Sequence, residues 1–184
     1  MDIWTLLAKF ATFETNELIL RPIRYEDSDS FWNMRSKSSD YPFVFSDDVD
    51  RNTSDFILVH SFMKKPLGVW AIENKVTHTM IGCIRFEKID SQNLTAEIGY
   101  FINKGFQRKG YGKQALNCIT FLAFHELAFK KLSLIIHKEN VASQLLAKSC
   151  QYKFVRYFKG SDRHTHKIRD YALFELLVGE YHHE

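Results

Sequence analysis

Six residues, Gln107-Arg108-Lys109-Gly110-Tyr111-Gly112, bring two glycines, two cations and two further hydrogen-bonding side chains together. Upstream, residues 96–102 are rich in β-branched and aromatic side chains and read as a strand. Downstream, Ala115, Leu116, Ile119, Leu122 and Ala123 recur at the spacing of an amphipathic helix. A glycine-rich turn entering a helix leaves backbone N–H groups unpaired and converging on one spot. Those donors, the positive end of the helix dipole and nearby cations suit a phosphate or pyrophosphate. The plainer alternative is an exposed turn that only starts a helix.

Three glycine motifs compete for this turn. A nucleotide P-loop places Lys and a hydroxyl after its second glycine. Gly105 and Gly110 have the right separation, but Tyr111 and Gly112 occupy those two places, so that chemistry fails. The run Gly110-Tyr111-Gly112-Lys113-Gln114-Ala115 satisfies the dinucleotide pattern Gly-x-Gly-x-x-Ala. That motif also needs an acidic residue closing the next strand to hold a ribose. Here the strand closes on His137-Lys138, with Glu139 just beyond, and too little chain follows for a doubly wound sheet with a substrate domain. The third pattern is Gln/Arg-x-x-Gly-x-Gly/Ala, which the six residues match.

The elements that must position this turn fit one domain. At 184 residues the chain can bury one core comfortably and two only poorly. A net charge of +3 is too mild for a nucleic-acid stripe, so no DNA partner is expected. The basic stretch Arg163, His164, His166, Lys167 and Arg169 reads as a solvated hairpin. Cys83, Cys118 and Cys150 are odd in number and lack a Cys-x-x-Cys pair, which argues for buried reduced thiols over a disulfide framework or zinc knuckle. The segment from Met1 to Phe13 carries Asp2 and Lys9 and lacks a cleavage site, so it does not read as a secretory signal. No stretch reaches membrane-spanning length, no membrane partner is expected, and a cytoplasmic location fits.

A short N-terminal helix is followed by a strand at residues 18–22, closed by Pro22. Residues 26–35 read as a helix with Phe31, Trp32 and Met34 toward the core, and residues 36–50 as a loop. Residues 50–63 read as a second helix with Phe56, Val59, His60 and Met63 on one face. Strands at 67–73 and 79–87 form a hairpin across the polar tract 74–78. After the central strand and helix come a strand at 132–137, a helix at 141–149, and strands at 152–158 and 169–177. The order predicts an α/β fold: a mixed sheet with antiparallel hairpins at both ends and a strand-helix-strand unit in the middle.

The six-residue run resembles the acetyl-CoA loop of the GNAT superfamily of N-acetyltransferases. Leu18-Ile19-Leu20-Arg21-Pro22 resembles the opening strand of the branch that acetylates ribosomal-protein N-termini (ribosomal-protein-alanine N-acetyltransferases). Glu97-Ile98-Gly99-Tyr100 is similar to its strand before the loop, Asn140-Val141-Ala142-Ser143 to its Asn-x-x-Ser motif, and Arg169-Asp170 to its closing element. The resemblance covers roughly residues 15–178 in the family's order, within a single N-acetyltransferase domain spanning 1–184. It implies a GNAT-like acyl-CoA N-acyltransferase fold, with about seven strands and about four flanking helices.

It also implies residue roles. Acetyl-CoA would be the acyl donor, without a metal, held by Ile102, Gln107, Arg108, Lys109, Gly110, Tyr111, Gly112, Lys113, Asn140 and Ser143. The strand through Gly99 would splay from the strand at 132–137 and leave backbone groups for pantetheine. Asn140 is either a partner of the pantetheine arm or a cap for the following helix. A neutral amine must attack the thioester, so a base or water chain takes a proton. Glu97 and Asp162 are the candidate carboxylates; the alternatives are an ordinary strand glutamate and a solvated loop aspartate. Many relatives protonate the departing thiolate with a Tyr where Ala147 stands here, and Ser143 would serve instead. Gln151-Tyr152 replaces the usual Gly-Phe. The amine acceptor, a protein N-terminus or small amine, would meet residues 25–63, which offer Trp32, Asp40, Tyr41, Phe43, Phe45, Asp47 and Asp48. A homodimer would be in keeping with the family. The competing expectation is a CoA-binding regulatory or catalytically degenerate relative.

Overall fold

The computed structural model describes residues 2–162 and 165–183. Met1 of the N-terminal segment and Arg163 and His164 of the basic stretch lie outside the described residues. Helix α1 (Ile3–Lys9) starts at Asp2, whose carboxylate accepts the N–H groups of Trp4 and Thr5. Strands β1 (Phe13–Glu14) and β2 (Leu18–Arg21) precede helices α2 (Ser28–Arg35) and α3 (Arg51–Ile57). Strands β3 (Val69–Asn74), β4 (Thr79–Asp90) and β5 (Thr95–Ile102) lead to helix α4 (Tyr111–His125). Strand β6 (Lys131–His137), helix α5 (Val141–Ser149) and strands β7 (Lys153–Ser161) and β8 (Ile168–Leu177) complete the order. The sheet runs β1-β2-β3-β4-β5-β6-β8-β7, mixed as the sequence predicts, with the two-residue β1 as an eighth strand. The chain folds as two compact units. One comprises the chain up to Arg85 with Tyr100–Ala115, the other Phe86–Gly99 with the chain from Leu116 onward.

In the first unit, Phe31, Met34, Tyr41, Phe45, Leu58, Phe62 and Phe101 share one core. Phe31 meets Phe62, and Phe45 meets Phe101, edge to face at 5.3 Å in each case. Such pairs add about 0.5–1.5 kcal/mol beyond simple burial. Two sequence expectations fail here. Trp32 is not in the core but 37% exposed, with the Arg51 guanidinium over its ring. The face of the second helix is also different: Phe56 and His60 stack on each other in solvent, whereas Ser54, Leu58 and Phe62 are buried. The helix continues as a π turn at Leu58–Met63, marked by the Lys64 N–H bonding the Val59 carbonyl. Both the predicted and the observed faces have helical spacing, so the period alone does not choose between them.

Arg21 ends β2 beside two buried carboxylates. Its guanidinium forks onto Asp27 at 2.7 and 2.8 Å, and its Nε reaches Glu73 on β3. Burial opposes the charge, but the bonds to Asp27 and Glu73 outweigh it and hold the guanidinium charged above its usual range. Gly82, on β4, sits against the neighbouring backbone so closely that a Cβ would collide with the Phe101 carbonyl oxygen.

In the second unit, β6 alternates Leu132, Leu134 and Ile136 inward. It pairs antiparallel with β8, which carries β7 on its other side. His166, Lys167 and Arg169 are exposed around the β7–β8 turn, as expected for a solvated hairpin. Gln151 stands just past α5 with φ 72°, a conformation that favours glycine. Its amide compensates by bonding both the N–H and the C=O of His182. Tyr152 is buried and bonds the Thr120 hydroxyl at 2.8 Å, a contact that Phe would lack.

Arg21→Leu strands two buried carboxylates and should cost about 3–5 kcal/mol in urea unfolding; a loss under about 1 kcal/mol would show that the triad contributes little. Gly82→Ala must move a backbone carbonyl rather than a flexible side chain. It should lower stability by about 1–3 kcal/mol, and an unchanged unfolding midpoint would contradict that contact.

Candidate functional site

The glycine-rich turn belongs to the first unit. Asn103 caps a single 3-10 turn, Lys104–Phe106, by accepting the Gly105 N–H at 2.9 Å. Gln107 then turns back and donates from Nε2 to the Ile102 carbonyl at 2.9 Å, tying the turn to the end of β5. Arg108 and Gly110 both have positive φ, 59° and 84°, and α4 begins immediately after. The first bond into the helix runs from the Gln114 N–H to the Gly110 carbonyl. Among the described residues, the N–H groups of Arg108, Lys109, Gly110, Tyr111, Gly112 and Lys113 meet no acceptor. Residues 107–110 are exposed. Lys109 lies over the Phe106 ring at 5.4 Å. Backbone donors in a turn with positive φ, opening a helix of 15 residues, form a concavity for an anion.

The segment expected to meet the acceptor lies in the same unit. Tyr41 and Phe45 are core residues rather than an exposed lining. The acids have local partners: Asp40 binds the Lys104 ammonium, and Asp48 accepts the Ser38 N–H at 2.7 Å. The bonds from Ser38 hold Asp48 below the usual carboxylate range. Arg35 is buried over the Phe45 ring, and its Nε meets no acceptor among the described residues. Burial pulls that guanidinium below its ordinary range, and Asp47 and Asp48 partly offset the effect. A bare acidic patch is therefore not what this segment presents.

The remaining predicted residues fall in the second unit. Strands β5 and β6 run parallel, with Thr95, Ala96 and Glu97 paired to Lys131, Leu132 and Ser133. Glu97 thus stands at the last pair of that ladder, half-buried. Gly99 leaves room for Glu87, whose carboxylate would collide with a Cβ at that position. Asn140 caps α5: its side-chain oxygen accepts the Ser143 N–H at 3.2 Å. The cap occupies only the oxygen, and the amide NH2 is a separate donor. Ser143 is half-buried in the first turn of α5. Ala147 is fully buried.

Asp162 is not a solvated loop residue. It is 9% exposed, accepts the Thr165 N–H and hydroxyl, and faces the Tyr171 hydroxyl at 3.5 Å and His137 Nε2 at 3.6 Å. Sequence alone does not bring His137 and Tyr171 to Asp162, because only the β6-β8-β7 strand order does so. The three cysteines are free, and burial pushes the Cys118 thiol up to about 11, which keeps it protonated. Among the described residues no group of His, Cys, Asp or Glu is placed to hold a metal ion. No helix is long and apolar enough to cross a membrane.

Comparison with known proteins agrees with this frame. Residues 17–153 match the model of the acetyltransferase (GNAT) domain family. The uncharacterized N-acetyltransferase p20 of Bacillus licheniformis is 24% identical over 174 residues, covering 92% of this chain and 98% of its own. Among solved structures, the ribosomal-protein-S5-alanine acetyltransferase of Vibrio fischeri superposes with a TM-score of 0.73 at 16% identity, over 91% of this chain and 96% of that one. The microcin C7 self-immunity acetyltransferase MccE, in complex with acetyl-CoA and AMP, gives 0.74 at 17% identity, over 89% and 93%. The chain belongs to the GNAT acetyltransferase domain family and is an acetyl-CoA-dependent acetyltransferase.

Proposed function

We propose that this protein transfers the acetyl group of acetyl-CoA directly to a primary amine, with a protein N-terminus of the ribosomal-protein kind as the acceptor class. The observation that carries the donor side is the run of six N–H groups from Arg108 to Lys113 without acceptors among the described residues. The CoA pyrophosphate would take these donors, with Arg108, Lys109 and Lys113 adding charge and Gln107 fixing the turn to Ile102. Charge-assisted hydrogen bonds of about 1.5–3 kcal/mol each would make this the main anchor. Asn140 would offer its NH2 to the pantetheine arm while its oxygen keeps the helix cap, so the two roles do not compete. Ser143, lying in that capped turn, would donate to the leaving thiolate. Glu97 and Asp162 are the carboxylates available to draw a proton from the amine.

The acceptor class rests on the motifs of the ribosomal-protein branch and on the likeness to the Vibrio fischeri structure. We take the chain as one acetyltransferase domain, since β4, β5 and α4 each run through both compact units. A cytoplasmic location and a homodimer accord with this reading. A CoA-binding, catalytically degenerate relative is the second reading, favoured by the buried Ala147 where many relatives carry Tyr.

Calorimetry with acetyl-CoA, dephospho-CoA and a nicotinamide dinucleotide tests the donor. Selective acetyl-CoA binding is expected; preference for the dinucleotide would return the turn to the Gly-x-Gly-x-x-Ala class. Coenzyme release with an amine panel then separates an enzyme from a degenerate binder. Gly110→Val forces a β-branched residue into a positive-φ turn and should weaken acetyl-CoA binding by about tenfold or more. Unchanged affinity would move the site elsewhere. Asn140→Ser keeps a competent cap but removes the amide donor. Stability should hold while acetyl-CoA affinity drops several-fold; if both hold, Asn140 is a cap alone.

A further inference from the structure

The geometry points to His137, positioned by Asp162, as the group that takes the proton from the acceptor amine. This inference rests on the acetyl-transfer reading and deepens it, because it changes which residue acts as the base. Asp162 closes the β7–β8 turn with its Oδ1 accepting the Thr165 N–H at 2.8 Å and the Thr165 hydroxyl at 3.1 Å. Its Oδ2 faces the Tyr171 hydroxyl at 3.5 Å and His137 Nε2 at 3.6 Å. A carboxylate tied down through Oδ1, with Oδ2 facing the ring, is well suited to stabilise a positive charge on an adjacent imidazole and to fix the ring's orientation.

Exposure divides the pair in the same sense. The Asp162 side chain is 12% exposed and that of His137 20%, so the imidazole is the member nearer to solvent. The ring is held from the side as well. The β6–β8 register sets His137 opposite Tyr171, and the β7–β8 register sets Tyr171 opposite Phe158. The ring centroids lie 4.8 and 5.6 Å apart. The separation of 3.6 Å is longer than a hydrogen bond, as catalytic contacts often are before a substrate tightens them.

Position argues for the same role. His137 is the last residue of β6, whose parallel ladder with β5 reaches only as far as Ser133 among the described pairs. The carboxyl end of parallel strands is where open α/β sheets take their ligands. Three residues on stands Asn140, and six residues on Ser143, in the capped first turn of α5. A proton acceptor, an amide donor and a hydroxyl thus follow one strand end within seven residues.

The step balances as follows. An acceptor ammonium gives one proton to neutral His137, forming an imidazolium that Asp162 stabilises. The freed nitrogen lone pair attacks the thioester carbonyl, forming the C–N bond, and the C–S bond breaks as the tetrahedral intermediate collapses. The thiolate leaves with the bonding pair and takes the second proton from nitrogen. The imidazolium returns its proton to solvent, so ammonium and acetyl-CoA give amide, CoA thiol and one proton.

The test compares the full-length wild type with His137→Gln, His137→Asn, Asp162→Asn and the double variant His137→Gln/Asp162→Asn. Turnover is measured with acetyl-CoA and short peptides beginning in Ala or Ser, and acetyl-CoA affinity by calorimetry. Each His137 variant should lose about 100-fold or more in kcat while acetyl-CoA affinity stays within about twofold. The double variant should be little worse than His137→Gln alone, because Asp162 acts through His137. The same peptide begun with an aminooxyacetyl group presents a nitrogen that is neutral at assay pH. On that acceptor the His137 variants should lose less than about tenfold, since no proton has to be removed before attack. A structural role for His137 would cost both acceptors equally, and equal losses overturn the inference. So does a His137→Gln enzyme with wild-type turnover. A wild type that releases no CoA with any amine overturns the acetyl-transfer reading itself, which is a different result.

Discussion

Six consecutive backbone N–H groups, from Arg108 to Lys113, meet no acceptor among the described residues, and keeping them in place is the constraint around which the first unit is arranged. Unpaired donors are tolerated only where water or a ligand can reach them, which requires an exposed turn with a fixed backbone. The fixing comes from both sides. Upstream, Asn103 caps the 3-10 turn and Gln107 bonds back to Ile102. Downstream, α4 starts at once and continues to His125. Arg108 accepts a left-handed conformation that costs a non-glycine residue about 1–2 kcal/mol. That cost is local, and it aims the donors.

Each unit also contains a buried carboxylate cluster, and the two are built for different ends. Around Arg21 the positive charge is permanent, and two acids close on it from β3 and from the start of α2. Such a cluster fixes geometry and has no proton to exchange near neutral pH. Around Asp162 the neighbours are a hydroxyl, a backbone N–H, a phenol and an imidazole. Only the second set contains an imidazole.

Much of this was legible in the sequence. The glycine turn, the strand before it and the helix after it are local features, and local pattern is enough to read them. The cap at Asn140 was one of two readings that the sequence left open, beside a partner of the pantetheine arm. What escaped was non-local or aperiodic. Helical spacing fits the exposed Phe56 and His60 as well as the buried Leu58 and Phe62, so the period could not choose the inward face. Gly82 lies against the Phe101 carbonyl, a contact between strands that no local pattern announces. His137, Asp162 and Tyr171 are separated by 25 and 9 residues of chain and meet only because β8 inserts between β6 and β7. The departure at Gln151-Tyr152 became intelligible only through the bonds each side chain makes.

Tyr41 has a double attachment with a thermodynamic consequence. Its ring packs against Phe45 in the core, while its hydroxyl accepts the Lys104 N–H at 2.9 Å, and the neighbouring Asp40 holds the Lys104 ammonium. The segment that would meet an acceptor is thereby clasped to the residue that begins the donor turn. Any occupant that displaces one end of such a clasp changes the free energy of filling the other, and the coupling is reciprocal to the same factor in both directions. Through such a clasp two ligands need not touch for one to alter the affinity of the other.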